Sequence, residues 1–434
     1  MLRLFAVSVG LNAGGMALAF VVNFVLARLA GPAETGIYAE ALTWHILLAT
    51  IGAAGADRLV VREIAHLQAN NQSSIVPLLV RTMRFRALRW SFAIGGSLSM
   101  FWLGACLYRN SLEYLPLVVA CAAAPFGSAL VVNISMLHAF KRNKLAQFLD
   151  QLVKPTLVIV CFAFLWGINE LAGDIAFVTY IVSACVCFGI SFVMVDACMQ
   201  DGSNQSGAAA YSSYNLQPWN CASTTLAWAV AVHALSTRLD VVLLGVLSTS
   251  FDVGLYHVAA RIAVLSSVLL VLFNMILGPR AARMLADGEI AMLQQQISGI
   301  IRWICIATMP WFVLLVLFSQ EILGLFGEEY IAADLVLTIL AIAQAINIAT
   351  GPAGTLLNAG KREKDLLASV WIGLLSSVVL LVTLIPVYGP LGAAVATASG
   401  IVLMNVYASI RVYQLFGINP TVFSTKFMKI RLFN

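Results

Sequence analysis

Four ionisable residues lie where an apolar chain least tolerates them. Arg238 and Asp240 sit in HALSTRLDVVLL, Arg261 in VGLYHVAARIAVL and Glu40 in ETGIYAEALTWHILL. On insertion scales a charge at a helix centre costs roughly 2.5–3.5 kcal/mol, so such residues mark either function or a partner on another helix. Guanidinium groups suit an anionic ligand, because their planar fork binds phosphate or carboxylate at two points. Carboxylates at the same depth suit coupling protons or sodium. The competing reading is structural: Arg261 with Asp240, or Arg238 with Glu40, locking helices together. On one helix Arg238 and Asp240 would point about 200° apart and pair poorly. Arg261 falls about 12 Å inside its span and Glu40 roughly one turn into its own. Arg28 and Arg58 lie near span ends, where guarding a cavity mouth and snorkelling to headgroups are both open. His45 and His233 could relay protons or simply bond a neighbour. Asn23, Asn133, Asn274, Gln344 and Asn347 could meet hydroxyls or join helices.

The elements that hold these residues follow from composition. The chain has 434 residues, 61% hydrophobic and 10% charged, against roughly 25% charged in a soluble domain. That apolar surface must face lipid. Apolar runs occur at about 4–27, 36–56, 90–108, 114–137, 152–168, 175–195, 219–248, 253–278, 299–319, 331–357, 366–387 and 389–415. Each has the roughly 20 residues a bilayer-spanning helix needs. The expectation is an all-α polytopic membrane protein of about twelve transmembrane helices. The first run exceeds the roughly 7–15 residues of a signal-peptide core and is kept as a span.

Charge orients the spans. Most of the 25 Lys and Arg follow even-numbered spans: Arg58, Arg62, Arg81, Arg84, Arg86 and Arg89 after the second, Lys141, Arg142, Lys144 and Lys154 after the fourth. Arg280, Arg283 and Arg302 follow the eighth, Lys361, Arg362 and Lys364 the tenth, and Arg411, Lys426, Lys429 and Arg431 the twelfth. The other side carries Glu170, Asp174, Glu321, Glu328, Glu329 and Asp334. By the positive-inside rule both termini are cytoplasmic. The net charge of +5 therefore reports topology, and no nucleic-acid partner is expected. The eight cysteines form no CxxC framework, so neither a metal site nor a disulfide scaffold is expected.

The chain is internally repeated. LHAFKRNK at 137–144 and LNAGKREK at 357–364 share five of eight residues, and ETGIY at 34–38 parallels DVGLY at 252–256. Both pairs map the first six spans onto the last six. Six is even, so the halves share one orientation and form a parallel repeat. Between them QDGSNQSGAAAYSSYNLQP reads as a flexible linker. The expected organisation is a six-helix bundle over 1–198, a cytoplasmic linker over 199–218, a second bundle over 219–415 and a basic tail over 416–434. A GxxxG at Gly10 and Gly14 favours close helix approach, and Gly351-Pro352 interrupts the tenth span.

The stretches LARLAGPAETGIYAEA, RLDVVLLGVLSTSFDVGLYHVAARIA, ILGPRAARM and GPAGTLLNAGKREKDL, in that order and spacing, resemble the polysaccharide flippases of the multidrug/oligosaccharidyl-lipid/polysaccharide exporter superfamily. The resemblance implies two six-helix bundles around a central cavity. It implies a substrate, a polyprenyl-diphosphate-linked oligosaccharide repeat unit of O-antigen, capsule or exopolysaccharide, moved from the cytoplasmic to the periplasmic leaflet of a bacterial inner membrane. On that reading Arg238 and Arg261 bind the diphosphate, Arg28 and Arg58 guard the mouths, and Glu40 and Asp240 carry H+ or Na+. Other membrane proteins of polysaccharide assembly are possible partners, and no cofactor is expected. The chain departs from the larger peptidoglycan-precursor flippases, since 416–434 holds no further pair of spans.

Two rivals remain at this level. An ion-coupled multidrug or cation exporter of the same superfamily would favour acidic groups, whereas two arginines stand here against two carboxylates. A membrane enzyme or an assembly scaffold would differ more. An enzyme needs a catalytic loop, and the longest external loop is about 320–330, with no HExxH, GxSxG or Walker A sequence.

Overall fold

The computed structural model describes residues 2–70, 72–112, 114–168, 172–200 and 216–423, apart from the side chains of 2–9 and 200. Among them the chain is helical throughout. The linker residues 201–215, Glu170, and Lys426, Lys429 and Arg431 lie outside the described residues. Two compact units are present, Met1–Arg238 and Leu239–Asn434.

The first unit contains α1 (Leu2–Gly52), α2 (Ala56–Ala69), α3 (Val76–Arg109), α4 (Leu115–Ala139), α5 (Asn143–Gln147), a π-helical turn (Phe148–Val153), α6 (Lys154–Gly167), α7 (Gly173–Gln200) and α8 (Gln217–Ser236). The second contains α9 (Leu239–Leu247), α10 (Ser250–Leu265), α11 (Val268–Ala286), α12 (Ile290–Leu317), α13 (Ser319–Gly324), α14 (Asp334–Thr350), α15 (Ala353–Ala359) and α16 (Glu363–Phe416). The boundary between units falls after α8, which the sequence pattern assigns to the second bundle. Trp219 of α8 is buried with the first unit's core, and the Ser223 hydroxyl donates to the Ala54 carbonyl at 2.6 Å.

Nine helices among the described residues are long and apolar enough to cross a membrane, ten if α8 and α9 form one broken span. Two of these are too long for one crossing. At 1.5 Å per residue a helix of 51 residues would reach about 75 Å, against a hydrocarbon core of about 30 Å. α1 turns at Gly31 (φ 81°, ψ 177°) and α16 at Gly389 (φ 54°, ψ −129°). These conformations are open to glycine and strained for any L side chain. Each glycine precedes a proline, Pro32 and Pro390, which fixes φ for the helix that follows and withholds a donor its first turn does not need. Divided at these points, the described helices give eleven crossings, and the twelve expected when α8 and α9 count as one broken span.

The repeated hairpins fold alike. Leu137 and Leu357 are both buried. The Arg142 and Arg362 amides each donate to that leucine's carbonyl at 2.9 Å, and the Lys141 and Lys361 amides donate to His138 and Asn358 carbonyls at 3.0 and 3.1 Å. Both lysines adopt the left-handed conformation, φ 62° and 56°. This is a Schellman cap with lysine at the position glycine usually holds.

α4 is the hub of the first unit, packing against α1, α2, α3 and α7. Small residues permit it: a Cβ on Gly127 would stand 2.7 Å from His45 Nε2. Where lipid supplies no hydrophobic drive, such close packing is what joins helices. The stretch 58–89, expected as a basic loop, is instead α2 and the first turns of α3. α2 buries Leu59, Val60, Ile64 and Leu67 against α3 and α4 while Arg58 and Arg62 stay exposed. Each such side chain is worth about 1.5–3 kcal/mol on an aqueous-facing helix.

Of the expected Gly10/Gly14 pair, Gly14 meets Leu152 of the π turn, 3.6 Å from the position of its missing Cβ. Gly10 has open space around it, whereas Gly15 lies against the π turn, its missing Cβ only 3.0 Å from the Gln151 carbonyl oxygen. In the second unit Gly351 separates α14 from α15 with φ 74°, and the chain beyond α16 folds back onto this break. Val422 donates to Ala349 at 2.9 Å, and Asn419 exchanges two hydrogen bonds with the Gln294 amide at 2.6 and 2.9 Å.

Candidate functional site

The first unit lines an open cavity of about 710 Å³, within the roughly 300–1,000 Å³ of small-molecule sites. Its polar wall comes from five elements: His45 of α1, Asp57 and Arg58 of α2, Ser135 and His138 of α4, Asp150 and Lys154 around the π turn, and Tyr180 of α7.

The π turn has a local cause. Pro155 has no N–H for the carbonyl of Gln151 and its ring would clash with it, so the chain widens by one residue just before the proline. Gly15 leaves room for the bulge. The result points Asp150 and Lys154 into the bundle, with Lys154 Nζ donating to Asp150 Oδ1 at 2.6 Å. The ammonium also lies 6.0 Å from the Tyr180 ring centroid, at the edge of cation–π range. Both charged side chains remain open, Lys154 by 20% and Asp150 by 34%. His45 Nδ1 lies 3.3 Å from the Ala120 carbonyl, and its ring meets Tyr180 edge-on at 5.8 Å. His138 Nδ1 pairs with Asn143 Oδ1 at 3.0 Å. Arg58 is 3.5 Å from Asp57, whose other carboxylate oxygen is buried without a hydrogen bond to the described residues. Burial pushes the Asp57 carboxyl above its ordinary value, with Arg58 opposing.

Arg58 is the expected site residue that this cavity gathers. Arg28 and Glu40 do not line it; Arg28 is exposed and Glu40 is buried one turn before Trp44. Arg238 and Asp240 do not share a helix. α8 ends at Ser236, where Ser236 and Thr237 hydroxyls turn back to the His233 carbonyl at 2.8 and 3.2 Å, and α9 begins at Leu239. Arg238 is thus in the turn and Asp240 in the first turn of α9. Asp240 accepts from Tyr256 at 2.6 Å, whose hydroxyl also meets Thr397 at 3.0 Å. Arg261 Nε donates to His257 Nε2 at 3.4 Å.

The remaining polar residues divide. Asn133 joins helices, accepting from Arg84 at 2.9 Å and donating to Ser191 at 3.2 Å. Arg84 also binds Asp196 at 2.7 Å and stacks 4.1 Å from the Phe192 ring centroid. Asn23 bonds within its own helix, Asn347 bonds Gln344, and the Asn274 oxygen has no hydrogen bond to the described residues. Asp150, Lys154 and Tyr180 are the residues the sequence pattern missed. Lys154, placed there in a basic loop, lies inside a span. The signal was an Asp-x-x-x-Lys pair followed at once by proline within an apolar run. Among the described residues no group of His, Cys, Asp and Glu has metal-ligand spacing.

Helices long and apolar enough to cross a bilayer, with duplicated hairpins and ionisable groups set among them, define a multi-pass membrane protein. Solved structures share the fold. A lipid II flippase MurJ in an inward closed conformation matches with TM-score 0.70 at 14% identity, over 94% of this chain and 87% of that one. An inward-facing multidrug resistance MATE family transporter of the MOP superfamily matches with TM-score 0.65 at 13% identity, over 92% and 95%. A curated relative, the probable low-salt glycan biosynthesis flippase Agl15 of Haloferax volcanii, is 30% identical over 165 residues, which is 37% of this chain and 34% of that protein. The family model described as polysaccharide biosynthesis protein matches residues 2–285. The chain belongs to that polysaccharide biosynthesis protein family.

Proposed function

We propose that the protein is a flippase that moves a polyprenyl-diphosphate-linked oligosaccharide repeat unit from the cytoplasmic to the periplasmic leaflet of a bacterial inner membrane by alternating access, for surface polysaccharide assembly. The observation that carries it is the presence of cations and hydrogen-bonding groups inside the apolar helices of a polysaccharide biosynthesis protein. Carrying a sugar diphosphate across hydrocarbon requires such groups, while the polyprenyl tail requires only lipid.

In this reading Arg238 and Arg261 receive the diphosphate, and Arg28 and Arg58 stand at the ends of its path. Glu40 and Asp240 hold the coupling H+ or Na+. Asp240 is the better supplied for that role, at the start of a helix after a break and with Tyr256 and Thr397 oxygens beside it; broken helices are where membrane transporters place ion sites. Both termini face the cytoplasm, as the duplicated basic hairpins favour.

The test is complementation of a strain lacking its own repeat-unit flippase, following surface polysaccharide and cytoplasm-facing lipid-linked oligosaccharide. The wild type restores surface glycan; Arg238→Ala and Arg261→Ala lose it at normal protein levels. Failure across many glycans, with cationic dyes expelled instead, would replace this reading with a drug exporter.

A further inference from the structure

The cavity of the first unit carries chemistry that a diphosphate does not explain. Its charges come in neighbouring opposite pairs, Lys154 with Asp150 and Arg58 with Asp57. The Lys154 ammonium is already engaged by the Asp150 carboxylate, so it is not left open for an anion. A polyprenyl tail would find hydrogen-bonding groups it cannot use. What the wall offers is a mixture of donors and acceptors around open space: an ammonium and a carboxylate both partly exposed, a phenol, imidazoles and the Ser135 hydroxyl. That mixture matches a neutral polyhydroxyl ligand, in which every hydroxyl both donates and accepts. Charge-assisted bonds to Asp150 and Lys154 would be the strongest of the set. The π turn adds weight, since such single-turn bulges are frequent at functional sites. Here it places the pair on the cavity wall.

We propose that this cavity is a sugar-binding subsite, in which Asp150 and Lys154, supported by Tyr180 and His45, hold hydroxyls of the glycan portion of the transported lipid. The assignment rests on the flippase reading above and adds to it a place for the sugar within the first helical bundle. Lys154 and Asp150 exchange part of their mutual hydrogen bonding for the hydroxyls, so the pair stays neutral while occupied. The ligand class is a neutral hexose or N-acetylhexosamine residue.

The experiment is equilibrium binding to the full-length protein in lipid nanodiscs with two probes, polyprenyl diphosphate alone and polyprenyl diphosphate carrying one hexose or N-acetylhexosamine. The wild type binds the glycosylated probe more tightly. Asp150→Asn/Lys154→Gln, which keeps size and net charge, loses that preference by about tenfold or more, the scale of one or two charge-assisted hydrogen bonds, and binds the bare lipid unchanged. Ser135→Phe fills the cavity without touching the pair and gives the same loss, so the test survives if the double variant fails to fold. Variants that keep the preference overturn the subsite, as does equal loss of both probes or a wild type that binds both alike. In these outcomes the flippase reading stands. A wild type that binds neither probe removes the flippase reading, and the subsite with it.

Discussion

Lysine at the left-handed cap position of both repeated hairpins can be tested as a matter of strain against charge. Lys141 and Lys361 hold φ 62° and 56°, a conformation costing an L residue roughly 1–2 kcal/mol. Glycine would remove that cost but return roughly 0.5–1 kcal/mol through its freer unfolded chain. The net expectation for Lys141→Gly or Lys361→Gly is a gain of about 0.5–1 kcal/mol each. The two hairpins share no hydrogen-bond partners, so the gains should add. At roughly 2–4 °C per kcal/mol for a unit of this size, each substitution raises the unfolding midpoint of its own unit by about 1–4 °C in detergent. A β-branched side chain packs worst in this conformation, so Lys→Val at either site lowers the midpoint. The assay is thermal unfolding of the single variants and the double, with transport measured beside it. If glycine and valine shift the midpoint in the same direction, or if Lys→Gly lowers it, strain is not what distinguishes these positions. The cap argument then fails, and the ammonium itself is what matters at the hairpin.

Two further outcomes follow from the first unit. Asp57 is buried with its carboxyl raised above the ordinary value, so the folded state holds its proton to higher pH than the unfolded chain. This group's contribution is favourable at acid pH and is lost as pH rises from the unfolded value through the folded one. Asp57→Asn should therefore stabilise the protein at neutral pH, with the advantage shrinking as pH falls into the carboxylate range; melting curves from pH 4 to 8 would show an advantage independent of pH if burial is not the cause. Arg84→Met should cost about 1.5–3 kcal/mol by removing charge-assisted bonds and stranding Asn133 and Asp196. A double-mutant cycle with Asp196→Asn, read by thermal unfolding, would show no coupling if the two residues act independently.

The crossings were readable because twenty apolar residues in a row admit few other fates, and the duplicated hairpin was readable because the same residues make the same cap. Sequence alone also marked the intramembrane arginines, since cost makes them conspicuous. It misplaced Arg238 and Asp240 on one helix, because the break between α8 and α9 falls inside an apolar run and an apolar profile does not register it. It overlooked Asp150 and Lys154 for a different reason. Their charges cancel in any window, their position looked like a loop end, and the bulge depends on Pro155 locally and on Gly15, more than a hundred residues away, for room. A contact of that kind leaves no periodic trace.

The repeat makes the site asymmetric in an informative way. With Leu137 set on Leu357, Asp150 and Lys154 fall on Val370 and Leu374, and Pro155 on Leu375. The second unit has neither the pair nor the proline, and α16 runs through this region without a π turn. With Tyr38 set on Tyr256, Asp240 falls on Val22 and Arg261 on Thr43, so these two intramembrane groups have no charged counterparts in the first unit. Both tyrosines stay buried and both hairpins keep their cap. What duplication preserved is the frame: the hairpin caps and the buried tyrosines. What differs between the halves is charge, with a neutral hydroxyl-binding wall in the first and an arginine and a tyrosine-held carboxylate in the second. A carrier for a ligand with a neutral polar part and an anionic part needs two unlike surfaces. A duplicated fold supplies two copies of one frame whose surfaces can diverge separately at no cost to either core.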